Sequence, residues 1–328
     1  MIKTETIRIW VAALLCLLLA AVAPDAHAQT YPDRTVAIIV PFPPGGSVDG
    51  VARIVVDKLN HTVGPHFIVE NRAGGASGNV GANVVAKAAP DGYTLLLTAS
   101  LHVVNPFLYK NMPFDVVKDF MPVTLIAAGP LIVSTTPSVP AHTLREFFDL
   151  VRQSPEKYTF GTTSIGSAGH LVIERLKREA GVKTLVVAYK GTAPALTDLM
   201  SGQIQLLADP MLSSLPLARA GRIKALAITS TKRQAAAPEI ATVEESGLPG
   251  FDFSSWYGLW GPKDLPADIA AKLQASIAEV LQMPDVQTRL GALGFEPIGS
   301  TPGQFTSFIA SEMAKYGKII HDADIKVE

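Results

Sequence analysis

Short apolar runs alternate with segments of helical periodicity through most of the chain. Runs at 35–40, 67–70, 93–98, 123–127, 131–135, 158–161, 184–188, 204–208 and 223–229 read as strands. Between them, Val51, Ile54, Val55 and Leu59 share one helix face, as do Leu144, Phe147, Phe148 and Val151, and Leu196, Leu199 and Met200. This alternation predicts an α/β fold with parallel sheets covered on both faces, in which ligands bind beyond the carboxyl ends of the strands. The last third changes character. Segment 266–282 predicts a helix with Ile269, Leu273, Ile277 and Val280 inward, and 302–320 another with Phe305, Phe308, Ile309 and Met313. Such helices could pack back on the first sheet, which would make the first domain discontinuous and the middle of the chain a second domain.

The N-terminus does not fit this pattern. Lys3 and Arg8 precede an apolar run at 9–23, and Ala26-His27-Ala28 follows as a small-x-small cleavage site. This is the pattern of a secretory signal peptide over 1–28, cleaved before Gln29, and it predicts a periplasmic protein. A membrane anchor is the alternative, but the run is short for a spanning helix. A lipoprotein fits less well, because Cys16 follows Leu14-Leu15 rather than a small residue. Cys16 is the single cysteine. The remainder, 328 − 28 = 300 residues, therefore has no disulfide, thiol catalyst or thiolate metal site, and its size suits two domains. A net charge of −1 without runs of like charge argues against nucleic acid as a partner.

Two loops carry the candidate chemistry. Pro41-Phe42-Pro43-Pro44-Gly45-Gly46-Ser47-Val48-Asp49-Gly50 and Thr162-Thr163-Ser164-Ile165-Gly166-Ser167-Ala168-Gly169-His170-Leu171 each join a strand-like run to a helical pattern. Glycines and hydroxyls opening a helix offer unpaired N–H groups and the positive end of the dipole to an anion. Two such loops far apart in sequence suggest two halves gripping one carboxylate-like ligand. Enzyme motifs fail. The Gly161–Gly166 stretch has the wrong spacing for a Gly-x-Ser-x-Gly elbow, Ser154-Pro155-Glu156-Lys157 lacks the companions of Ser-x-x-Lys, and no Walker or Gly-x-Gly-x-x-Gly loop occurs. His61 and His66 are five apart, a poor fit to a zinc pair, so no metal or cofactor is expected.

Further segments, in order along the chain, carry a family resemblance: Tyr31-Pro32-Asp33-Arg34, Val69-Glu70-Asn71-Arg72-Ala73-Gly74-Gly75, Ala89-Pro90-Asp91-Gly92-Tyr93-Thr94-Leu95, Tyr189-Lys190-Gly191-Thr192-Ala193-Pro194-Ala195-Leu196, Ala225-Leu226-Ala227-Ile228-Thr229 and Leu248-Pro249-Gly250-Phe251. Together with the first loop they resemble the Bug-type (TctC-like) periplasmic solute-binding proteins of tripartite tricarboxylate transporters. Ala73 stands where that family often has Pro. The resemblance implies a two-lobed periplasmic-binding-protein fold (type II, "Venus flytrap") with two helix-covered sheets and a hinge. It also implies a first lobe at 30–129 plus 231–328 and a second at 130–230. The ligand would be a small organic carboxylate held by backbone N–H groups, hydroxyls and water rather than by arginine. The partners would be membrane transporter subunits, and a monomer is expected.

The expected ligand-binding residues are Phe42, Gly45, Gly46, Ser47, Asp49, Ser100, Thr163, Ser164, Gly166, Ser167 and Asp209. Gly45 and Gly46 allow close backbone approach. Ser47, Thr163, Ser164 and Ser167 can donate to a carboxylate or cap a helix. Asp49 and Asp209 could accept from an ammonium or hydroxyl, Ser100 follows a strand end, and Phe42 could wall the pocket. Tyr189, like Phe42, could wall the pocket or pack in the core, while His170 and the aromatic group Trp256, Tyr257 and Trp260 read as structural. Two other functions remain open: a ligand sensor for a signalling receptor, and a periplasmic hydrolase pairing Ser47 or Ser164 with His170.

Overall fold

A computed structural model describes residues 31–322 and 325, and the expected signal peptide with its cleavage point lies outside them. The elements are β1 (Val36–Val40), α1 (Ser47–Thr62), β2 (Phe67–Asn71), α2 (Asn79–Ala86), β3 (Thr94–Ala99), α3 (Leu101–Leu108), β4 (Phe120–Thr135), α4 (Leu144–Gln153), β5 (Thr159–Thr162), α5 (Ala168–Ala180), β6 (Leu185–Ala188), α6 (Thr192–Ser201), β7 (Leu206–Pro210), α7 (Met211–Arg219), β8 (Lys224–Ile228), β9 (Ser254–Pro262), α8 (Ala267–Gln282), α9 (Pro284–Gly291), β10 (Glu296–Pro297) and α10 (Pro302–Asp322).

The strands run in the order β2-β1-β3-β9-β4-β7-β5-β6, with β8 and β10 also paired to β4. Strand β4 belongs to two sheets. Its residues 120–130 pair with β9, and residues 131–135 pair with β7 and β8. The β1–β2, β1–β3, β5–β6 and β5–β7 pairs are parallel, but every pairing of β4 and β9 is antiparallel. The sheets are therefore mixed, where alternation alone predicted parallel ones. Periodicity reports burial and not strand direction, and the seam strands run against their neighbours.

The runs at 123–127 and 131–135 belong to this one 16-residue strand. Gly129-Pro130 interrupts the apolar pattern but sits where the chain passes from one sheet to the other. Just beyond it, the Leu131 N–H donates to the Thr229 hydroxyl at 2.9 Å, and the Thr229 N–H returns to the Leu131 carbonyl at 3.0 Å. The Thr229 hydroxyl donates in turn to the Phe253 carbonyl at 2.6 Å. This buried threonine ties β4 to the segment leading into β9 at the seam.

Strand β9 was read only as an aromatic cluster. Residues 255–262 are buried without alternation, so the period-2 signal of a half-exposed strand is missing. Trp256 meets Phe305 edge-on at 5.9 Å, and its indole N–H lies 3.0 Å from a Glu312 oxygen and 3.1 Å from the Tyr316 hydroxyl. Helix α10 thus seals the first sheet, while Phe147, Phe148 and Phe160 anchor α4 on the second. No helix among the described residues is long and apolar enough to cross a membrane.

Candidate functional site

Five strand-to-helix junctions meet at one compact cavity of about 50 Å³. The β1–α1 junction supplies Phe42, Pro43, Gly46, Ser47 and Val48, and the β3–α3 junction supplies Ala99, Ser100 and Leu101. From the second sheet come Thr163, Ser164, Ser167, Ala168 and Gly169 before and within α5, Gly191 and Thr192 at the start of α6, and Pro210 before α7. Ser255 of β9 completes the wall. Each of these helices is at least eight residues long and starts beside the cavity. The backbone N–H groups of a first helical turn have no acceptor within the helix, so Ser47, Val48, Ala168, Gly169 and Thr192 carry donors of this kind. Their dipoles add positive potential. Among the described residues no Lys, Arg or His lines the cavity.

Of the residues expected from sequence, Phe42, Gly46, Ser47, Ser100, Thr163, Ser164 and Ser167 line this cavity, while Gly45, Asp49, Gly166 and Asp209 stand behind it. The Gly45 N–H donates to Asp49 at 3.0 Å. The same carboxylate accepts from Arg53 at 2.9 Å and from Asn71 at 3.0 Å, so Asp49 braces the first loop. Burial pushes its pKa up, but the bonds from Arg53, Gly45 and Asn71 outweigh that and hold it below the usual carboxylate range. Gly166 has φ +81°, and a Cβ there would lie 2.5 Å from Leu108, so glycine permits both the turn and the close approach of α3. Its N–H donates to the His170 ring at 3.2 Å.

Asp209 is fully buried at the end of β7, where it accepts from Thr192 at 3.1 Å, Ser213 at 2.6 Å and Ser214 at 3.2 Å. Burial lifts its pKa to about 6 against these three donors. Ser47 begins α1 but does not cap it, because Gly46 holds the cap position. The buried Tyr257 hydroxyl stands behind this wall, accepting from Ser255 at 3.4 Å and with Ser47 close by. Ser100 lies near the buried Tyr316, so two buried phenols back the hydroxyls on this wall. Ser167 caps α5 by accepting the His170 N–H at 3.1 Å while also lining the cavity. Tyr189 bonds Asp198 at 2.6 Å and stands outside this cavity.

Sequence reasoning assigned no role to Thr192, Gly191, Pro210 or Ser255. Gly191-Thr192 followed by Pro194 opens a helix after a strand, the signal used for the first two loops. Ser255 carried none, since β9 itself was missed. Ser77 was missed too. It has the left-handed angles φ 51° and ψ 36°, and its hydroxyl donates to the Ile165 carbonyl at 2.8 Å. It accepts from Ser164 at 3.1 Å and meets the Tyr109 hydroxyl at 3.1 Å. Ser77 therefore joins the segment after β2 to the second loop, 88 residues on. Ser77→Ala, which removes these contacts, should weaken ligand binding roughly 3- to 10-fold, about the net worth of one hydrogen bond. Titration calorimetry would show this, and unchanged affinity would mean that the bond plays no part in closure.

The Ser–His pairing that a hydrolase needs is not formed. The His170 Nδ1 accepts from Gly166, and its Nε2 lies 4.0 Å from Glu174. The Ser164 hydroxyl donates to Ser77, and neither it nor the Ser47 hydroxyl is hydrogen-bonded to His170. Among the described residues no group of three or more His, Cys, Asp or Glu is arranged to hold a metal ion.

Comparison with known proteins agrees with this architecture. Residues 51–325 match the model of the tripartite tricarboxylate transporter family receptor. The structure of the periplasmic binding protein BugD superposes with a TM-score of 0.87 at 33% identity, covering 90% of this chain and all of that one. Rpa4515 of R. palustris, solved with adipate, gives 0.87 at 35% identity over 90% of this chain and all of its own. MatC of Rhodopseudomonas palustris, solved with bound malate, gives 0.83 at 32% identity over 88% and 100%. The chain belongs to the tripartite tricarboxylate transporter receptor family and has the two-lobed α/β fold of periplasmic binding proteins.

Proposed function

We propose that this chain is an exported periplasmic receptor that captures one small organic carboxylate and delivers it to the membrane subunits of a tripartite tricarboxylate-type transporter. The convergence of five helix N-termini on a cavity free of basic side chains carries this reading. A carboxylate without a countercharge is costly to bury, and oriented N–H dipoles with charge-assisted hydrogen bonds offset that cost. The adipate and malate complexes of the relatives support the same ligand class. The lobes would be 30–129 with 231–328, and 130–230. Three observations support that division: the change of sheet at 130/131 of β4, the Thr229 tie at the seam, and the packing of α8 and α10 on the first sheet. Closure about this hinge would bury the ligand and present the closed lobe pair to the transporter.

A carboxylate panel tested by thermal shift, with hits confirmed by calorimetry, examines the reading directly. A ligand that binds only the folded state raises the melting temperature once it exceeds its dissociation constant. In Gly46→Val the added Cβ would sit 3.6 Å from that of Thr192, so the Cβ fits but the two further methyls press into the cavity mouth. Affinity should fall about tenfold or more while the fold persists, by analogy with the cost of overpacking. A folded Gly46→Val protein with full affinity would remove the first loop from the site.

A further inference from the structure

Of the hydroxyls on the second-sheet side of the cavity, those of Ser164, Ser167 and Thr192 share a property visible only in their partners. Each has one hydrogen to give and two lone pairs to offer. Thr192 gives its hydrogen to Asp209, at 3.1 Å. Ser164 gives its hydrogen to Ser77, whose own goes to the Ile165 carbonyl. Thr162 donates to the Ser164 carbonyl, so in the 3.1 Å contact between Thr162 and Ser167 the hydrogen comes from Ser167. Ser167, Ser164 and Thr192 thus turn only lone pairs to the cavity. A carboxylate oxygen set against them would meet acceptor with acceptor. The N–H groups of the helix starts and the Thr163 hydroxyl remain the donors for the anion.

Resting on the carboxylate-receptor reading, we infer that this receptor selects carboxylates bearing a hydrogen-bond donor, a hydroxyl or an ammonium, over their unsubstituted counterparts, and that Thr192 reads that donor. Asp209 is the positioning residue. It is buried at the far side of Thr192, and Ser213 and Ser214 hold its second oxygen, so the other stays aimed at the Thr192 hydroxyl. The Thr192 side chain is itself nearly buried, and water cannot readily replace a missing ligand donor there. Sites built to pair a ligand OH or NH reject analogues that lack it far more strongly than apolar pockets reject a missing methylene.

The test is calorimetry at pH 8, above the value of about 6 to which burial raises Asp209 and therefore with its carboxylate ionised. Succinate is compared with malate and aspartate, and glutarate with 2-hydroxyglutarate and glutamate. In at least one set the hydroxyl or ammonium member should bind at least about tenfold tighter than its plain counterpart. A lead for the hydroxy acid identifies a hydroxyl, and a lead for the amino acid an ammonium. Thr192→Val should bring the ratio toward one, and Thr192→Ser should keep it, which a purely structural role would not predict. Plain diacids binding as well as both substituted forms would overturn the inference and leave the receptor reading standing. So would a ratio that survives Thr192→Val. Absence of binding by every member, with no hit in the wider panel, would overturn both.

Discussion

Gly169→Ala is expected to lower both stability and ligand affinity. A Cβ at Gly169 would lie 2.1 Å from the Ala208 carbonyl oxygen, a backbone atom in a buried strand that cannot rotate away. Helix α5 would have to lift off β7. Overpacking of this kind costs about 1–3 kcal/mol and occasionally more, which for a chain of this size corresponds to a fall of roughly 2–5 °C in melting temperature. The displaced turn carries Ser167, Ala168 and Gly169, which line the cavity, so affinity should fall about tenfold or more as donors move out of place. Gly303→Ala is the control. Nothing lies within 4 Å of its added Cβ near the start of α10, and it should be neutral or slightly stabilising. Thermal melts and calorimetry on the two variants decide the matter. Equal melting temperatures would show that the α5–β7 approach is looser than the structure gives.

The second large effect is acid destabilisation centred on His102. This histidine is 2% exposed, faces Phe114, Phe120 and Trp260, and has no partner for Nε2. Burial lowers its pKa to about 3. The unfolded chain, with a value near 6.5, therefore binds a proton that the folded chain refuses between about pH 6.5 and 3. The stability involved is intact above pH 6.5 and is lost as pH falls toward 3. At pH 4.5 the deficit is about 2–3 kcal/mol. Asp49, held below its ordinary value, acts in the same direction at lower pH. Asp209, raised to about 6, has the opposite sign, its contribution being complete below about 4 and lost as pH rises through 6. Urea unfolding of wild type and His102→Phe at pH 7 and pH 4.5 isolates the histidine. The variant should lose less stability than wild type on acidification, whatever its absolute stability. Equal losses in the two proteins would assign the acid sensitivity elsewhere.

How much was legible in the sequence depended on whether an element shows a pattern. Strands β1, β2, β3 and β5 to β8 announced themselves as apolar runs between helical segments. Strand β4 looked like two because Gly129-Pro130 breaks an apolar run as a turn does, and no local signal says that a chain is passing between sheets. Strand β9 was hidden for another reason. Gly258 lies where a Cβ would come within 2.2 Å of Phe305, so glycine serves ring packing there and not a turn. In the site, glycine and hydroxyl residues at strand-to-helix junctions identified six cavity residues, and an aromatic in the first loop, Phe42, a seventh. Those that stand behind the cavity were judged by residue type without orientation. Arg53, one helical turn beyond Asp49, draws that carboxylate back onto the loop. The Ser213–Ser214 pair, four and five residues after Asp209, does the same from the next helix. Both acids shape the site from behind.

The absence of a basic side chain from the cavity wall bears on how the receptor responds to its surroundings. A guanidinium or ammonium would project a field over several ångströms into solvent, draw anions inward, and lose much of that pull as salt accumulates. Peptide dipoles at helix starts act only within the first turn and, once the cavity is shut, beyond the reach of dissolved ions. On the proposed reading, the cavity wall itself adds no long-range steering, and retention should vary little with ionic strength. The same wall does not favour phosphate or sulfate over a carboxylate by charge alone, so discrimination falls to shape and to the direction of each hydrogen bond.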